Sequence, residues 1–288
     1  CNWPVRVTMS GVATTPKQDW VIWRPVTGTW WFSDSTTGAQ TTQQWGLSGD
    51  RIVHGDYDGD RNSDFAVSRI TSSQRMWYII NSSTGAGWNT QWGLNSDAPL
   101  GGGDYDGDGR ADIAVWRGSN GTWHVINSST WTGWSATWGI SGDRPVVGNY
   151  DADLRSNLAV WRPSNGNWYI IDSLTGAAST VQWGLSTDFT VSADFDGDFV
   201  TDRAVWRKSN GTFYWIDSAD GQTWQRQWGL TNDFPIPGYY DTDNRMDHAV
   251  YRPSEGRFYY VLSSTGSSFW TTWGQSNDQP AVPFTRGG

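Results

Sequence analysis

The sequence predicts an all-β fold, a six-bladed β-propeller of four-stranded antiparallel blades, and three observations carry that prediction. A Trp-Gly pair recurs at Trp45, Trp92, Trp138, Trp183, Trp228 and Trp273, in steps of 47, 46, 45, 45 and 45 residues. An Arg recurs independently at Arg24, Arg69, Arg117, Arg162, Arg207 and Arg252, in steps of 45, 48, 45, 45 and 45. Composition is also poor in helix formers: 28 of the 29 acidic residues are Asp, only Glu255 is Glu, and 18 of the 20 basic residues are Arg. Asp, Asn, Ser, Thr and Gly bond to nearby backbone or tolerate positive φ and so favour turns, whereas the 23 Trp and 11 Tyr favour strands.

The best-preserved unit, residues 144–188, divides into four strand-like pieces. Residues 145–148 form the first. A loop over 149–157 leads to the second, 158–162, which ends on Arg162. Pro163-Ser164-Asn165-Gly166 has the composition of a hairpin turn. The third strand spans 167–172, and after Thr175-Gly176 the fourth spans 180–184. Four short antiparallel strands in about 45 residues make a propeller blade. Repeat one lacks a convincing first strand, and residues 278–283 resemble the first strand at 233–237. The C-terminal strand is therefore expected to complete the N-terminal blade and close the ring, which removes exposed sheet edges. Residues 1–288 then form a single domain, with 1–10 as an N-terminal extension. Seven blades or an open repeat array are the alternatives, because residues 2–9 remain unassigned.

Between the first and second strands the chain is strongly acidic. Three loops place carboxylates at positions 1, 3, 5 and 9: Asp56, Asp58, Asp60 and Asp64; Asp104, Asp106, Asp108 and Asp112; Asp194, Asp196, Asp198 and Asp202. Four like charges in nine residues repel unless a cation lies among them. Calcium suits such a site, since it takes six to eight oxygens and a glycine (Gly59, Gly107, Gly197) gives the sharp bend. A main-chain carbonyl at position 7, from Asn62, Arg110 or Val200, is expected to add a ligand. Magnesium suits it less, because it demands tight octahedral geometry. Asn149, Asp151, Asp153, Arg155 and Asn157 keep the oxygens with less charge and predict weaker binding. Asp241, Asp243, Arg245 and Asp247 keep three carboxylates behind Tyr239. Repeat one, with Asp19 beside Gly11, Ala13 and Thr15, is expected to hold no ion. The sum is three strong calcium sites and up to five in all.

On these Asp-x-Asp-Gly-Asp loops, each preceding an apolar strand, the chain resembles the FG-GAP and VCBS repeat families over residues 11–288. The resemblance implies an integrin α-like calcium-loop propeller with structural metal. It leaves function open, since such propellers include protein binders, sugar-binding lectins and parts of enzymes.

Net charge of −9 argues against nucleic acid and against an anionic membrane surface. No run reaches the roughly 18 apolar residues of a membrane helix. The single Cys, Cys1, has two readings: a truncation remnant, or the lipid-anchored first residue of a bacterial lipoprotein. Catalysis has little support, because His54, His124 and His248 share no ligand spacing and a lone Glu255 leaves few carboxylates outside the loops. The expected function is a non-enzymatic binding module, extracellular or on the cell surface. Trp88, Trp134 and Trp224 stand four residues before the Trp-Gly pair, with Phe269 at the same place and Trp270 beside it. Exposed on an outer strand, such rings stack on a carbohydrate such as a cell-surface glycan; packed, they cover the blade edge and leave a protein-interaction or structural role.

Overall fold

The computed structural model describes residues 17–35 and 37–281, and every regular element among them is a strand. Blade I pairs Trp20–Arg24, Thr29–Ser33 and Gln40–Gln44 with the C-terminal Gln279–Pro280. Blade II contains Arg51–Ile52, Phe65–Ile70, Gln74–Ile80 and Gly87–Leu94, and blade III contains Ala98–Leu100, Ile113–Arg117, Thr122–Ile126 and Gly133–Thr137. Blade IV contains Arg144–Pro145, Leu158–Arg162, Asn167–Ile171 and Ala178–Gln182. Blade V contains Phe189–Ala193, Asp202–Arg207, Thr212–Ile216 and Thr223–Gln227, and blade VI contains Phe234–Pro235, His248–Arg252, Arg257–Val261 and Ser268–Thr272. All pairs are antiparallel, and the six blades form a ring.

The ring closes as the repeat pattern predicts. Ile22 pairs with Pro280 and Trp23 with Gln279, and the Ala281 N–H donates to the Val21 carbonyl at 3.0 Å. Residues 282 and 283, Cys1 and the N-terminal extension lie outside the described residues. First strands are shorter than the sequence suggested. In blade IV regular pairing covers only Arg144–Pro145, although the Val146 N–H still donates to Ala159 O at 2.9 Å. Pro99, Pro145, Pro235 and Pro280 share one register position, and proline, which has no N–H to donate, is tolerated there because the first strand is a sheet edge with no further strand that needs a donor.

Second strands are apolar on both faces because each is sandwiched between neighbouring blades; Ala159, Val160 and Trp161 are all fully buried. The apolar residues therefore form six clusters, one at each seam, in place of one central core. Trp23, Trp30 and Phe32 of blade I meet Phe65 and Val67 of blade II, and Ile22 of blade I meets Tyr251 and Phe258 of blade VI to complete the circle.

Two recurring polar devices reinforce the seams. The Trp-Gly indole of each blade donates to a third-strand carbonyl of the next: Trp45 to Tyr78, Trp138 to Tyr169, Trp183 to Tyr214 and Trp228 to Tyr259, each at 3.1 Å, and Trp92 to His124 at 3.0 Å. Trp273 closes the set on Trp31 O at 3.3 Å. The recurring Arg forms a two-pronged ion pair with an Asp on the first-strand side of its own blade. Arg162 reaches Asp143 at 2.7 and 2.9 Å, Arg207 reaches Asp188, and Arg24 reaches Asp278 across the closure. In five blades the same guanidinium lies over a third-strand ring, as Arg162 does over Tyr169 at 4.3 Å. The Asp side chains are at most 1% exposed, so the fork-shaped guanidinium is what makes their burial tolerable.

In an up-and-down blade the first-to-second and third-to-fourth connections share one end. The acidic loops accordingly meet the Ser-rich turns on one face of the ring, while the Arg–Asp pairs and second-to-third hairpins occupy the other.

Candidate metal centre

Each acidic loop is built from its ninth position outward. Asp64, Asp112, Asp202 and Asp247 are at most 2% exposed, and each carboxylate accepts at least two main-chain N–H bonds. One comes from position 2 of the same loop (Tyr57, Tyr105 and Phe195 at 2.7 Å, Tyr240 at 2.8 Å). The other comes from the turn after the third strand (Ser82 and Ser128 at 2.7 Å, Ser218 at 2.8 Å, Ser263 at 2.6 Å). The ninth carboxylate thus ties loop to turn.

Position 1 folds the bend. Asp56 accepts from Gly59 and Arg61 N–H at 2.7 Å, and Asp104 and Asp194 accept from the matching amides. Gly59, Gly107 and Gly197 take φ of 82, 79 and 85°, where a Cβ is strained. A Cβ on Gly59 or Gly107 would also stand 3.0 Å from Nε of Arg110 or Arg155 on the next blade. Position 6 is left-handed too, and mostly without glycine: Arg61, Leu154, Phe199 and Asn244 have φ of 66–71°. Nothing in the residue types at position 6 marks that strain. Loops are also joined around the ring, since the N–H at position 8 donates to the position-1 carbonyl of the preceding blade. Ala111 bonds Asp56 at 2.6 Å, Ser156 bonds Asp104 at 2.5 Å, Thr201 bonds Asn149 at 2.6 Å, and Met246 bonds Asp194 at 2.7 Å.

Carboxylates converge where the spacing suggested. Asp56, Asp58 and Asp64 offer oxygens within 4.8 Å of one another, as do Asp104, Asp106 and Asp108; Asp194, Asp196 and Asp202; and Asp241, Asp243 and Asp247. Asp60, Asp112 and Asp198 border these triplets without belonging to them. At position 7 the N–H of Asn62, Arg110, Arg155, Val200 or Arg245 donates to the position-5 carboxylate and shapes the turn. No ion pair reaches a loop aspartate among the described residues.

That leaves concentrated, uncompensated negative charge. Burial pushes the carboxyls of Asp64, Asp112, Asp194 and Asp202 up to about 7, and those of Asp56 and Asp247 up to about 6, with repulsion from loop neighbours adding to the effect. Asp104 is raised in the same way. Hard carboxylate oxygens in this density, none of them in an ion pair among the described residues, are a donor set that fits a hard divalent cation.

Blade IV differs. Asn157 Nδ2 donates to Asp151 Oδ2 at 2.6 Å and to Ile171 O at 2.9 Å, while its Oδ1 accepts from Tyr150 N–H. An amide hydrogen here does part of the work that a cation would do elsewhere, and Asp151 Oδ1 is left buried with no partner. In blade I, Asp19 accepts from Ser35 N–H at 2.8 Å, and burial raises it to about 6; Gly11, Ala13 and Thr15 lie outside the described residues.

The aromatic positions divide. Trp88 and Trp134 are half-buried, with each indole donating to an Asn at 2.6 Å (Asn81 and Asn127) and packed against a seam, so they are anchors and not free platforms. Trp224, Trp270 and Phe269 are 49, 59 and 46% exposed. In blade V Trp215 donates to Asp217 at 2.7 Å and shares that carboxylate with Trp224, whose ring stays largely outside; Trp270 lies 4.5 Å from the Arg257 guanidinium. Trp131, 57% exposed, was not singled out from the sequence. The three His are not grouped: burial holds His54 down at about 4 and His248 at about 3, the latter stacked on Phe195.

No family model matches the chain, and no curated protein matches it in sequence. Solved structures match in fold. TolB from Acinetobacter baumannii aligns with 16% identity over 90% of this chain and 65% of its own, at a TM-score of 0.61. A putative 6-phosphogluconolactonase from Bacteroides fragilis aligns with 8% identity over 96% and 98% of the two chains, at 0.50. A protein from Lactobacillus plantarum aligns with 9% identity over 91% and 98%, at 0.52. The chain thus spans under two thirds of TolB, and at these identities the likeness is one of fold: this chain is a β-propeller.

Proposed function

We propose that the protein is a calcium-stabilised, non-enzymatic binding propeller that works outside the cytoplasm and takes a carbohydrate ligand. The observation that carries the metal half is the recurrence of three carboxylates within 4.8 Å in four blades, with no basic side chain paired to them. Asp56, Asp58 and Asp64 and their counterparts would hold the ion, and calcium would supply the charge that lets these groups stay ionised while buried. That role agrees with the resemblance to FG-GAP and VCBS repeats. Sites of modest affinity stay filled in millimolar extracellular calcium, which favours an outside location.

Support for the ligand half comes from the exposed rings Trp224 and Trp270 on outer strands rich in Thr, Gln and Ser. Aromatic faces bordered by hydroxyls and amides match a sugar, which offers C–H groups on one side and hydroxyls around its rim. A glycan array probed in calcium tests the reading: binding to a defined set of neutral glycans, weakened in Trp224→Ala or Trp270→Ala, is expected. An array that stays blank in calcium contradicts it.

A second reading, a protein-interaction propeller, is favoured by Leu47, Leu94, Ile140, Leu185 and Leu230. These follow the Trp-Gly pair in five blades and are 41–57% exposed, making an apolar ring on the face away from the acidic loops; Gln275 interrupts it in the sixth.

A further inference from the structure

We propose that Trp131 is the stacking platform of a neutral-sugar subsite at the seam of blades II and III. This inference rests on the carbohydrate reading above and assigns it a place that the spacing of the outer-strand aromatics did not mark.

The turn after the third strand is the same in all six blades, its N–H donating to the carbonyl four residues earlier at 2.8–3.0 Å. Five blades put glycine there, Gly38, Gly85, Gly176, Gly221 and Gly266, with φ of 68–73°. Blade III puts Trp131 there, at φ 55°. A residue with a Cβ is strained in this conformation, and a bulky one is rarely found in it. Burial does not repay the strain, because the side chain is 57% exposed. Its ring contact is with Trp88, edge to face at 5.4 Å and 77°. Trp88 is in turn fixed by its bond to Asn81 and its contact with Tyr57. The Trp131 ring is thus held at a set angle by a rigid neighbour with much of its surface in water. A local rule broken without a folding gain marks a functional position.

The surroundings choose the ligand. Ser129, Thr130 and Thr132 in the same turn are exposed and uncharged. The turn rests on the acidic loop through Ser129 Oγ, which donates to Asp106 Oδ2 at 2.5 Å. Uncharged hydroxyl groups beside an aromatic face suit a neutral pyranose.

Trp131→Gly restores the residue of the other five blades, so it tests binding without a folding penalty. With the full chain in calcium, neutral methyl glycosides and a neutral glycan array are the probes, read beside thermal melting. The expected result is a melting temperature equal to or above that of the parent, with binding weaker by roughly tenfold or more, the loss of a well-made contact. Parent-level glycan binding by Trp131→Gly overturns the subsite alone and leaves Trp224 and Trp270 as platforms. A fall in melting temperature overturns it too, by making Trp131 a packing residue. If the parent chain binds no neutral glycan, the subsite and the carbohydrate reading fall together.

Discussion

At the scale of single residues, most side chains that recur serve the seams. Asp188 is fully buried and held by Arg207, so Arg207→Ala leaves a charge without its partner. The expected cost is about 2 to 3 kcal/mol, below the usual figure for a broken buried pair because the guanidinium is partly solvated; denaturant unfolding measures it, and a change under about 0.5 kcal/mol, the range of inert surface substitutions, contradicts the clasp. Trp138→Phe keeps the ring but deletes the bond to Tyr169 O, at an expected cost of about 1 kcal/mol. The recurring Arg residues are expected from the sequence to tie strands together through main-chain carbonyls or Asp, and the partners are Asp50, Asp97, Asp143, Asp188, Asp233 and Asp278, each five residues after the Trp-Gly tryptophan. Each stands alone in its repeat, outside any acidic cluster, so its sequence context shows no partner; that partner is 19 or 20 residues on, or 254 residues back across the closure for Asp278. Exposure of the aromatics was not legible. Trp88 and Trp224 share a register, yet Trp88 is half-buried and Trp224 is 49% exposed, because in blade V Trp215 shares the Asp217 carboxylate with Trp224 whereas Trp88 has Asn81 to itself.

At the scale of elements, the second and third strands and the loops could be read to within a residue or two, because both termini of each carry a repeated marker. The first strands could not, since they are edges whose regular pairing lasts only two to five residues and whose apolar content is small. The loops make a prediction about pH. Six loop carboxyls sit at about 6 or about 7 in the metal-free fold, against 3.8 ordinarily. Between those values the native state binds more protons than the unfolded chain, so metal-free stability falls as pH rises from about 4 to about 7. His54 and His248, depressed below 6.5, act in the opposite sense but are outnumbered. Calcium favours the ionised form, so the gap in melting temperature between calcium-loaded and chelated protein is expected to widen over that window; a constant gap contradicts the assignment. Blade IV supplies the converse. Asn157→Asp replaces the amide donor beside Asp151 by a second carboxylate, and is expected to destabilise the chelated protein by about 1 to 3 kcal/mol while raising the stabilisation that calcium gives.

At the scale of the whole molecule, six weak sheets become one stable body only when the ring is shut. A chain ending at residue 277 loses the first strand of blade I and the Asp278 that holds Arg24. Exposed edges on both sides of the gap are expected to lower the melting temperature and to shift the protein to oligomers on size-exclusion chromatography; a monomer with unchanged melting contradicts closure by the C-terminal strand. The ring also separates two chemistries, apolar side chains on one face and carboxylates on the other. The central claim concerns the second of these. Calorimetric titration of calcium into chelator-treated protein tests it most directly: saturable uptake of three to five ions per chain, accompanied by a higher melting temperature, is the expected result, and absence of heat with superimposable melting curves would contradict it.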